Sequence, residues 1–397
     1  MNVLILILKL LIVIQLSEAT LSPPTNTGNK KDKKDKGKID TQKGPVNKDV
    51  FQRHLVIKDP KAIDIIRESG TYYSDTKRRR FSGEVLGYIT PWNSNGYEIS
   101  KTFHGKFTMV SPVWFSILPS NTSTFPLPTH DVQKKWLKDM KLMNSESHNV
   151  KILPRLLFKH WSTSQIVELE SNTLKQQQLI TTLTDTAKTF RLDGYVLEIW
   201  DQFIYTGINV QIVLSVVKAI SKKLKNENLD VILAVPPSRG SKAQLFSRDH
   251  FNELAPYIRA FSLMTYDYSS VQRPGPNSPL SWARQCVEFL VPDQNDPKRN
   301  QILLGINFYG YNYTPEGGGP ILGSQYLKSL ETFKSKIQWD DRSKEHFFEA
   351  KSSLGSGYVF YPTLYSMIFR FDLAAELGTG IAIWELGQGL NYFYDLL

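Results

Sequence analysis

The segment Arg191-Leu192-Asp193-Gly194-Tyr195-Val196-Leu197-Glu198-Ile199-Trp200 decides the fold predicted for this chain. Its Asp-Gly pair is typical of a turn, and the run that follows is almost wholly apolar, as in a parallel strand covered on both faces. Side chains alternate along a strand, so Val196, Glu198 and Trp200 should share one face. We expect the other face to pack against helices and this one to point into the interior that the sheet encloses.

Similar apolar, β-prone runs recur through residues 81–397, and amphipathic helical stretches separate most of them. The predicted strands are Glu84–Thr90, Phe107–Ile117, Lys151–Phe158, Tyr195–Trp200, Val231–Val235, Ala260–Tyr268, Ile302–Tyr309 and Gly380–Leu386. Parallel neighbours need helical crossovers, so the alternation predicts an α/β fold, a (β/α)8 TIM barrel. An open doubly wound sheet is the alternative, but no Gly-rich phosphate-binding motif follows the first strand. A small α+β insertion, at about residues 317–362, is predicted between strand 7 and the last helix.

The first 80 residues differ in composition from the rest. Residues 1–19 hold a Leu/Ile/Val-rich run that ends in Ser-Glu-Ala, which is typical of a signal peptide and predicts a secreted protein with no membrane span; an uncleaved anchor is the alternative. Residues 20–80 are predicted to be a flexible basic arm and N-terminal segment, because their first part is rich in Pro, Gly, Asn and Lys.

The chain carries a formal net charge of +10, with basic clusters at residues 30–36 and 77–80. These clusters predict either solvated charge that keeps the protein soluble or attraction to anionic glycans and lipid phosphates. Nucleic acid is not expected, because no aromatic residues alternate with the basic ones.

Other sequence features restrict the chemistry. The sequons that begin at Asn121 and Asn312 agree with export and predict glycosylation. The single cysteine, Cys286, excludes an internal disulfide. The seven histidines include no pair at i, i+4 spacing, so neither a metal site nor a cofactor is expected.

The quoted segment resembles the fourth-strand signature of glycoside hydrolase family 18, the chitinases, whose pattern is Asp-Gly-x-Asp-x-Asp-x-Glu. The Asp-Gly pair matches, whereas Val196, Glu198 and Trp200 stand where the pattern has its second Asp, its third Asp and its catalytic Glu. Residues 264–267, Met-Thr-Tyr-Asp, match the Met-x-Tyr-Asp of the sixth strand. Trp384 stands where the family keeps a Trp as the floor of its sugar site.

Active sites of such barrels lie at the carboxyl ends of the strands, and aromatic residues crowd those ends here. Sugar rings stack on aromatic side chains, so an aromatic-lined cup is predicted; aromatic side chains that merely fill the top of the barrel are the alternative. The candidates are Tyr88, Trp92, Trp114, Trp161, Trp200, Tyr266, Tyr268, Phe308, Tyr309 and Trp384. Two carboxylates join them: Glu198, about 6–7 Å deeper than Trp200, and Asp267, which we expect to approach Glu198 and share a proton with it.

The resemblance implies a chitinase fold without its catalytic acid. We therefore expect a catalytically inactive, secreted or lysosomal lectin for chito-oligosaccharides or related N-acetylated glycans. The resemblance also suggests lipopolysaccharide or another glycolipid as a ligand and a stabilin-like scavenger-receptor partner in innate immunity. A glycoside hydrolase with a displaced catalytic acid and a protein-interaction module with a relic cup remain the alternatives.

Overall fold

The computed structural model describes residues 41–240, 245–332 and 336–397. The predicted signal peptide and residues 20–40 of the predicted arm lie outside this range. Residues 41–80 are folded, which corrects the expectation of a flexible segment: β1 (Lys43–Val46) pairs in parallel with β2 (Gly70–Tyr73), and α1 (Ala62–Glu68) connects them. The carboxylate of Asp395 accepts hydrogen bonds from the backbone N–H groups of Val50 and Tyr73, so the far end of the chain holds this segment in place.

The other strands belong to a barrel and to a smaller sheet. In chain order they are β3 (Val85–Ile89), β4 (Met109–Pro112), β5 (Phe115–Ile117), β6 (Lys151–Ile152), β7 (Arg155–Phe158), β8 (Gly194–Glu198), β9 (Asp230–Val235), β10 (Ala260–Leu263), β11 (Ile302–Asn307), β12 (Gly310–Asn312), β13 (Gly319–Ile321), β14 (Gln338–Asp340), β15 (Glu345–Ser352), β16 (Gly355–Phe360) and β17 (Gly380–Trp384).

The parallel strands close into the predicted (β/α)8 barrel. β17 pairs with both β11 and β3, so the last barrel strand joins the first. The second barrel strand is interrupted once and consists of β4 and β5, and the third consists in the same way of β6 and β7. Their segments pair separately, β4 with β6 and β5 with β7. All contacts around the ring are therefore parallel, as helical crossovers require.

Helices cover the outside of the barrel. The remaining helices are α2 (Asn95–Thr102), α3 (Lys134–Met143), α4 (Thr163–Ser171), α5 (Thr173–Phe190), α6 (Trp200–Ile204), α7 (Val210–Asn226), α8 (Arg248–Leu254), α9 (Leu280–Leu290), α10 (Gly323–Thr332) and α11 (Leu364–Leu377). Outward side chains of the strands pack against these helices in one large apolar core, while inward side chains form a separate cluster in the barrel.

The Asp-Gly pair that begins β8 has a structural role. The carboxylate of Asp193 accepts hydrogen bonds from the backbone N–H of Ile152 (2.8 Å) and from Lys141 (2.7 Å), which ties β8 to the start of its neighbour. Gly194 has a φ of 152°, and a Cβ there would lie 1.9 Å from the carbonyl oxygen of Asp230. Only glycine allows β9 to approach so closely.

The predicted insertion is present between β11 and α11 and begins at β12, somewhat earlier than expected. Its five strands form an antiparallel sheet in the order β13-β12-β16-β15-β14, accompanied by α10. We call this unit, residues 310–360, the lobe. Because β12 follows the carboxyl end of β11 within three residues, the lobe lies beside the end of the barrel where the candidate site was predicted.

Candidate functional site

Most of the predicted polar and tyrosine candidates do meet inside the carboxyl end of the barrel. We call this region the cup; its side chains are Tyr88, Arg155, Glu198, Asp201, Tyr266, Asp267, Tyr309 and Trp384, with Tyr311, Tyr313 and Phe360 from the lobe. The rings of Tyr88 and Trp384 lie 5.0 Å apart, and the hydroxyl of Tyr88 donates to the Oγ of Ser262 at 2.9 Å.

The floor of the cup is closed. Tyr88, Tyr266, Tyr309 and Trp384 each expose 5% of their surface or less. Burial raises the pKa of Tyr266 and of Tyr309 well above its ordinary value, so both remain neutral phenols. The partly exposed groups of the cup are therefore its carboxyls, Glu198, Asp201 and Asp267.

Glu198 lies on the inner face of β8, as predicted. One of its carboxylate oxygens accepts a hydrogen bond from Nη1 of Arg155 at 2.8 Å, and the Glu198 side chain remains 28% exposed. A charge-assisted hydrogen bond of this kind is stronger than one between neutral groups. Arg155 was not identified from the sequence, although a lone charged residue on an otherwise apolar strand was the available signal.

Asp267 has different partners from those predicted. Its Oδ1 accepts hydrogen bonds from the hydroxyls of Tyr309 and Tyr311, the latter at 3.0 Å. Burial raises the pKa of Asp267, while the two hydroxyl bonds lower it. Since Glu198 pairs with Arg155 instead, the expected sharing of a proton between Glu198 and Asp267 is wrong.

Trp200 does not lie in the cup, which corrects the prediction that it faces the interior. The strand ends at Glu198, and Trp200 is the first residue of α6. Its fully buried ring packs against Phe246 and His250, and its Nε1 donates to the carbonyl oxygen of Leu245 at 2.8 Å. The alternation of a strand no longer applies once the backbone becomes helical, so the indole turns outward.

Three further aromatic predictions are wrong for a related reason. Trp114, Trp161 and Phe308 follow a break or the end of a strand and pack in the outer core. Trp114 donates to the hydroxyl of Tyr97, and Trp161 stacks on Phe125.

The last two aromatic candidates lie in different surroundings. Tyr268 packs against Trp282 and Arg273 and is half-buried. Trp92 follows β3, and 44% of its surface is exposed.

Asp201 is the residue that the sequence reasoning missed. It follows Trp200 in the first turn of α6 and is half-buried. Burial raises the pKa of Asp201 to about 7, and the charge of Glu198 adds to this shift while Arg239 opposes it. The carboxyl thus belongs to the same electrostatic environment as Glu198 and can hold a proton near neutral pH.

The lobe contributes an aromatic wall that was also missed. Tyr311 and Tyr313 alternate along β12 and its continuation and stack with ring centroids 5.4 Å apart, and Phe360 of the neighbouring β16 packs against Tyr313. Their period of two was the available signal. This wall extends the cup beyond the barrel itself.

The remaining predictions concern the glycosylation sites, metal binding, membrane spans and the basic clusters. Asn121 is exposed, whereas the half-buried Asn312 packs its amide against Gly317. Among the described residues, no group of three His, Cys, Asp or Glu side chains could hold a metal ion. Within the same residues, no helix has both the length and the apolar character needed to cross a membrane. In the 77–80 cluster, Arg79 donates to the carbonyl of Gly83 and Arg80 pairs with Asp49.

Comparisons with known proteins agree with this fold. A family model described as glycosyl hydrolases family 18 matches residues 84–389. A chitinase from Chromobacterium violaceum is similar in structure at 16% sequence identity, with a TM-score of 0.63, covering 79% of this chain and 98% of that chain.

Two further structures are similar in the same way. The spore cortex-lytic enzyme SleL of Bacillus megaterium shares 20% identity, with a TM-score of 0.61, over 81% of this chain and 74% of that chain. A Cycas revoluta chitinase solved with (GlcNAc)3 shares 14% identity, with a TM-score of 0.63, over 79% and 98% of the two chains. At these identities, the likeness shows the fold alone.

Proposed function

The chain belongs to glycosyl hydrolases family 18, and on that premise we propose that it is a chitinase-like lectin that binds glycans in the cup without cleaving them. Within the family we place it, as part of the proposal, among the stabilin-interacting chitinase-like proteins. The family fold supplies the binding site, and changed residues on β8 remove the chemistry.

The observation that carries this proposal is the ion pair between Glu198 and Arg155. A substrate-assisted family 18 mechanism needs a protonated carboxyl within about 3 Å of the glycosidic oxygen. Glu198 is the carboxylate that β8 presents to the cup, and its Oε2 is already engaged as a hydrogen-bond acceptor by Nη1 of Arg155 at 2.8 Å. Val196, where the family pattern has an Asp, lies in the apolar interior of the barrel.

The shape and charge of the cup support a sugar ligand. The cup combines carboxyl, guanidinium and phenol groups with buried aromatic side chains, which suits the hydroxyl and acetamido groups of a sugar. Trp92 offers an exposed indole near the same end of the barrel. We propose chito-oligosaccharides or related N-acetylated glycans as the ligand class, with lipopolysaccharide or another glycolipid as a member that shares this chemistry.

The cellular setting belongs to the same proposal. The apolar run of residues 1–19 supports secretion, and a lysosomal location is compatible with export. A stabilin-like scavenger receptor as partner, an innate-immune role and binding of anionic glycans by the basic arm rest on the family resemblance and on charge. Partner binding by cup variants separates this role from that of a protein-interaction module, whose binding such variants would leave unchanged.

One observation favours a second candidate, a glycoside hydrolase with a displaced acid. Asp201 has a raised pKa of about 7 and lies near Glu198, so it could deliver a proton if a glycosidic oxygen came within about 3 Å. Product analysis decides between the two candidates.

The lectin proposal is tested by titration calorimetry with N-acetylglucosamine oligomers. We expect saturable binding by the wild-type protein and about a tenfold loss in Glu198→Gln, because a charge-assisted bond contributes roughly 1.5–3 kcal/mol. Glu253→Gln is the matched control: Glu253 pairs with Lys218 at 3.0 Å on the outer helices, so affinity should not change. No binding by the wild-type protein would refute the proposal.

A further inference from the structure

Asp201 takes the place in the cup that the sequence pattern gives to Trp200. The first residue of α6 turns its indole outward, and the carboxyl of the next residue lies within electrostatic range of Glu198 and Tyr266. Gln202 fixes this geometry, because its side-chain amide both donates to the carbonyl of Phe158 (2.8 Å) and accepts from its N–H (3.0 Å).

The carboxyl of Asp201 is incompletely satisfied. Its Oδ1 is fully enclosed, and no hydrogen-bond donor among the described residues reaches it. Enclosure without a donor disfavours the charged form of a carboxyl, and the pKa of Asp201 is raised to about 7 accordingly. A neutral carboxylic acid has one O–H to donate, and Asp201 as a residue is only half-buried.

We propose that Asp201 contacts the ligand directly, donating a hydrogen bond from its carboxylic acid to an acceptor oxygen of an uncharged, N-acetylated sugar. This inference rests on the proposed sugar-binding function and names the residue that selects the ligand.

The inference predicts that sugar affinity falls as pH rises, because the ionised Asp201 has no proton to donate. The charged and titratable groups that face Asp201 are Glu198 on β8, Arg239 after β9, Tyr266 after β10 and Tyr205 at the end of α6. Asp267 is also a neighbour of Arg239 and also has a raised pKa. Its titration is therefore the alternative explanation for any pH dependence of sugar affinity.

The test is calorimetric titration of the N-acetylglucosamine trimer between pH 5 and pH 9. We expect the wild-type affinity to fall by up to about tenfold between pH 6 and pH 8. Asp201→Asn keeps a donor but has no ionisable proton, so it should bind with little pH dependence. Asp201→Leu lacks a donor and should bind weakly throughout.

Two controls make the result decisive. Glu385→Gln alters a carboxyl whose pKa is also raised to about 7 but which is fully buried behind the barrel wall, so its pH profile should match that of the wild type. Asp267→Asn should keep the pH dependence. The inference would be overturned if the wild-type pH dependence of affinity survived in Asp201→Asn or disappeared in Asp267→Asn, and the lectin proposal would then still stand. If the wild-type protein did not bind the trimer at all, the lectin proposal itself would be refuted.

Discussion

Trp200 shows why a single residue cannot be placed from a sequence pattern alone. The strand rule predicts Glu198 correctly, because that residue still belongs to β8, and fails two residues later, because α6 has begun. Asp201 escaped notice for the same reason: neither strand alternation nor the family pattern assigns a role to the residue after Trp200.

Restoring the family's Glu at position 200 should damage the protein without creating an enzyme. Trp200→Glu places a carboxyl in the apolar contact with Phe246 and His250, so we expect unfolding free energy to fall by about 3 kcal/mol or more. Thermal unfolding and a chitin-hydrolysis assay measure the two effects. Trp200→Phe should cost less stability, and a folded Trp200→Glu protein that cleaves chitin would contradict the placement of this residue.

Trp92 is the predicted cup tryptophan with a freely accessible ring. Trp92→Ala should weaken oligosaccharide binding by about 1 kcal/mol, or about fivefold in Kd, with little change in stability, because the lost contact is a sugar stack and not core packing. Calorimetric titration checks the affinity.

Trp339→Ala is the control, since Trp339 packs against His346 and Tyr365 at the outer edge of the lobe. An unchanged affinity in Trp92→Ala would remove Trp92 from the site.

At the scale of elements, hydrophobic periodicity predicted the eight barrel strands and the lobe, because each buries a continuous apolar face. It did not predict the interruptions in the second and third barrel strands. Those breaks, at residues 113–114 and 153–154, turn Trp114 outward against Tyr97. Pro112 and Pro154 stand at the two breaks and were the available signal, because proline interrupts a central strand.

The lobe is joined to the barrel by a buried ion pair. Glu345 of β15 accepts hydrogen bonds from Arg370 of α11 at 3.0 Å and from the N–H groups of Asn277 and Ser278. Glu345→Ala should lower unfolding free energy by about 3 kcal/mol, because it leaves the buried Arg370 guanidinium without its counter-charge. Chemical denaturation measures the change.

The control for this pair is Glu376→Ala, whose partner Arg284 lies on the surface. A surface pair contributes less than about 1 kcal/mol. Equal effects of the two substitutions would show that Glu345 does not join the lobe to the barrel.

At the scale of the whole molecule, buried carboxyls should favour the folded state at acidic pH. Burial raises the pKa of Glu385 to about 7, well above its ordinary value of 4.5, so the folded state binds more protons than the unfolded state between those values. Stability from this group is therefore present below about pH 4.5 and lost as pH rises to about 7. The raised pKa of Asp201 likewise favours the folded state at acidic pH.

Burial lowers the pKa of His346 to about 4, which acts in the opposite direction because stability from this group is lost as pH falls through that value. The contribution of Glu385 is therefore best measured as a difference. Relative to the wild type, Glu385→Gln should gain up to about 3 kcal/mol between pH 5 and pH 8 in urea unfolding. A constant difference across that range would show that the Glu385 carboxyl does not titrate there.

Composition predicted the N-terminal region only in part. Residues 22–49 are rich in Lys, Gly and Pro, which predicts a segment without a core of its own, yet β1 is held by pairing with β2. The second anchor, Asp395, lies more than 300 residues away in sequence, so no local pattern could show it.

The central claim is that this family 18 barrel holds a glycan without cutting it. The most direct measurement is a mass-spectrometric time course of the N-acetylglucosamine hexamer incubated with purified wild-type protein at a concentration that saturates the cup. The account predicts that the hexamer remains intact at pH 5 and at pH 7. Steady release of shorter oligomers, abolished by Asp201→Asn or Glu198→Gln, would contradict it.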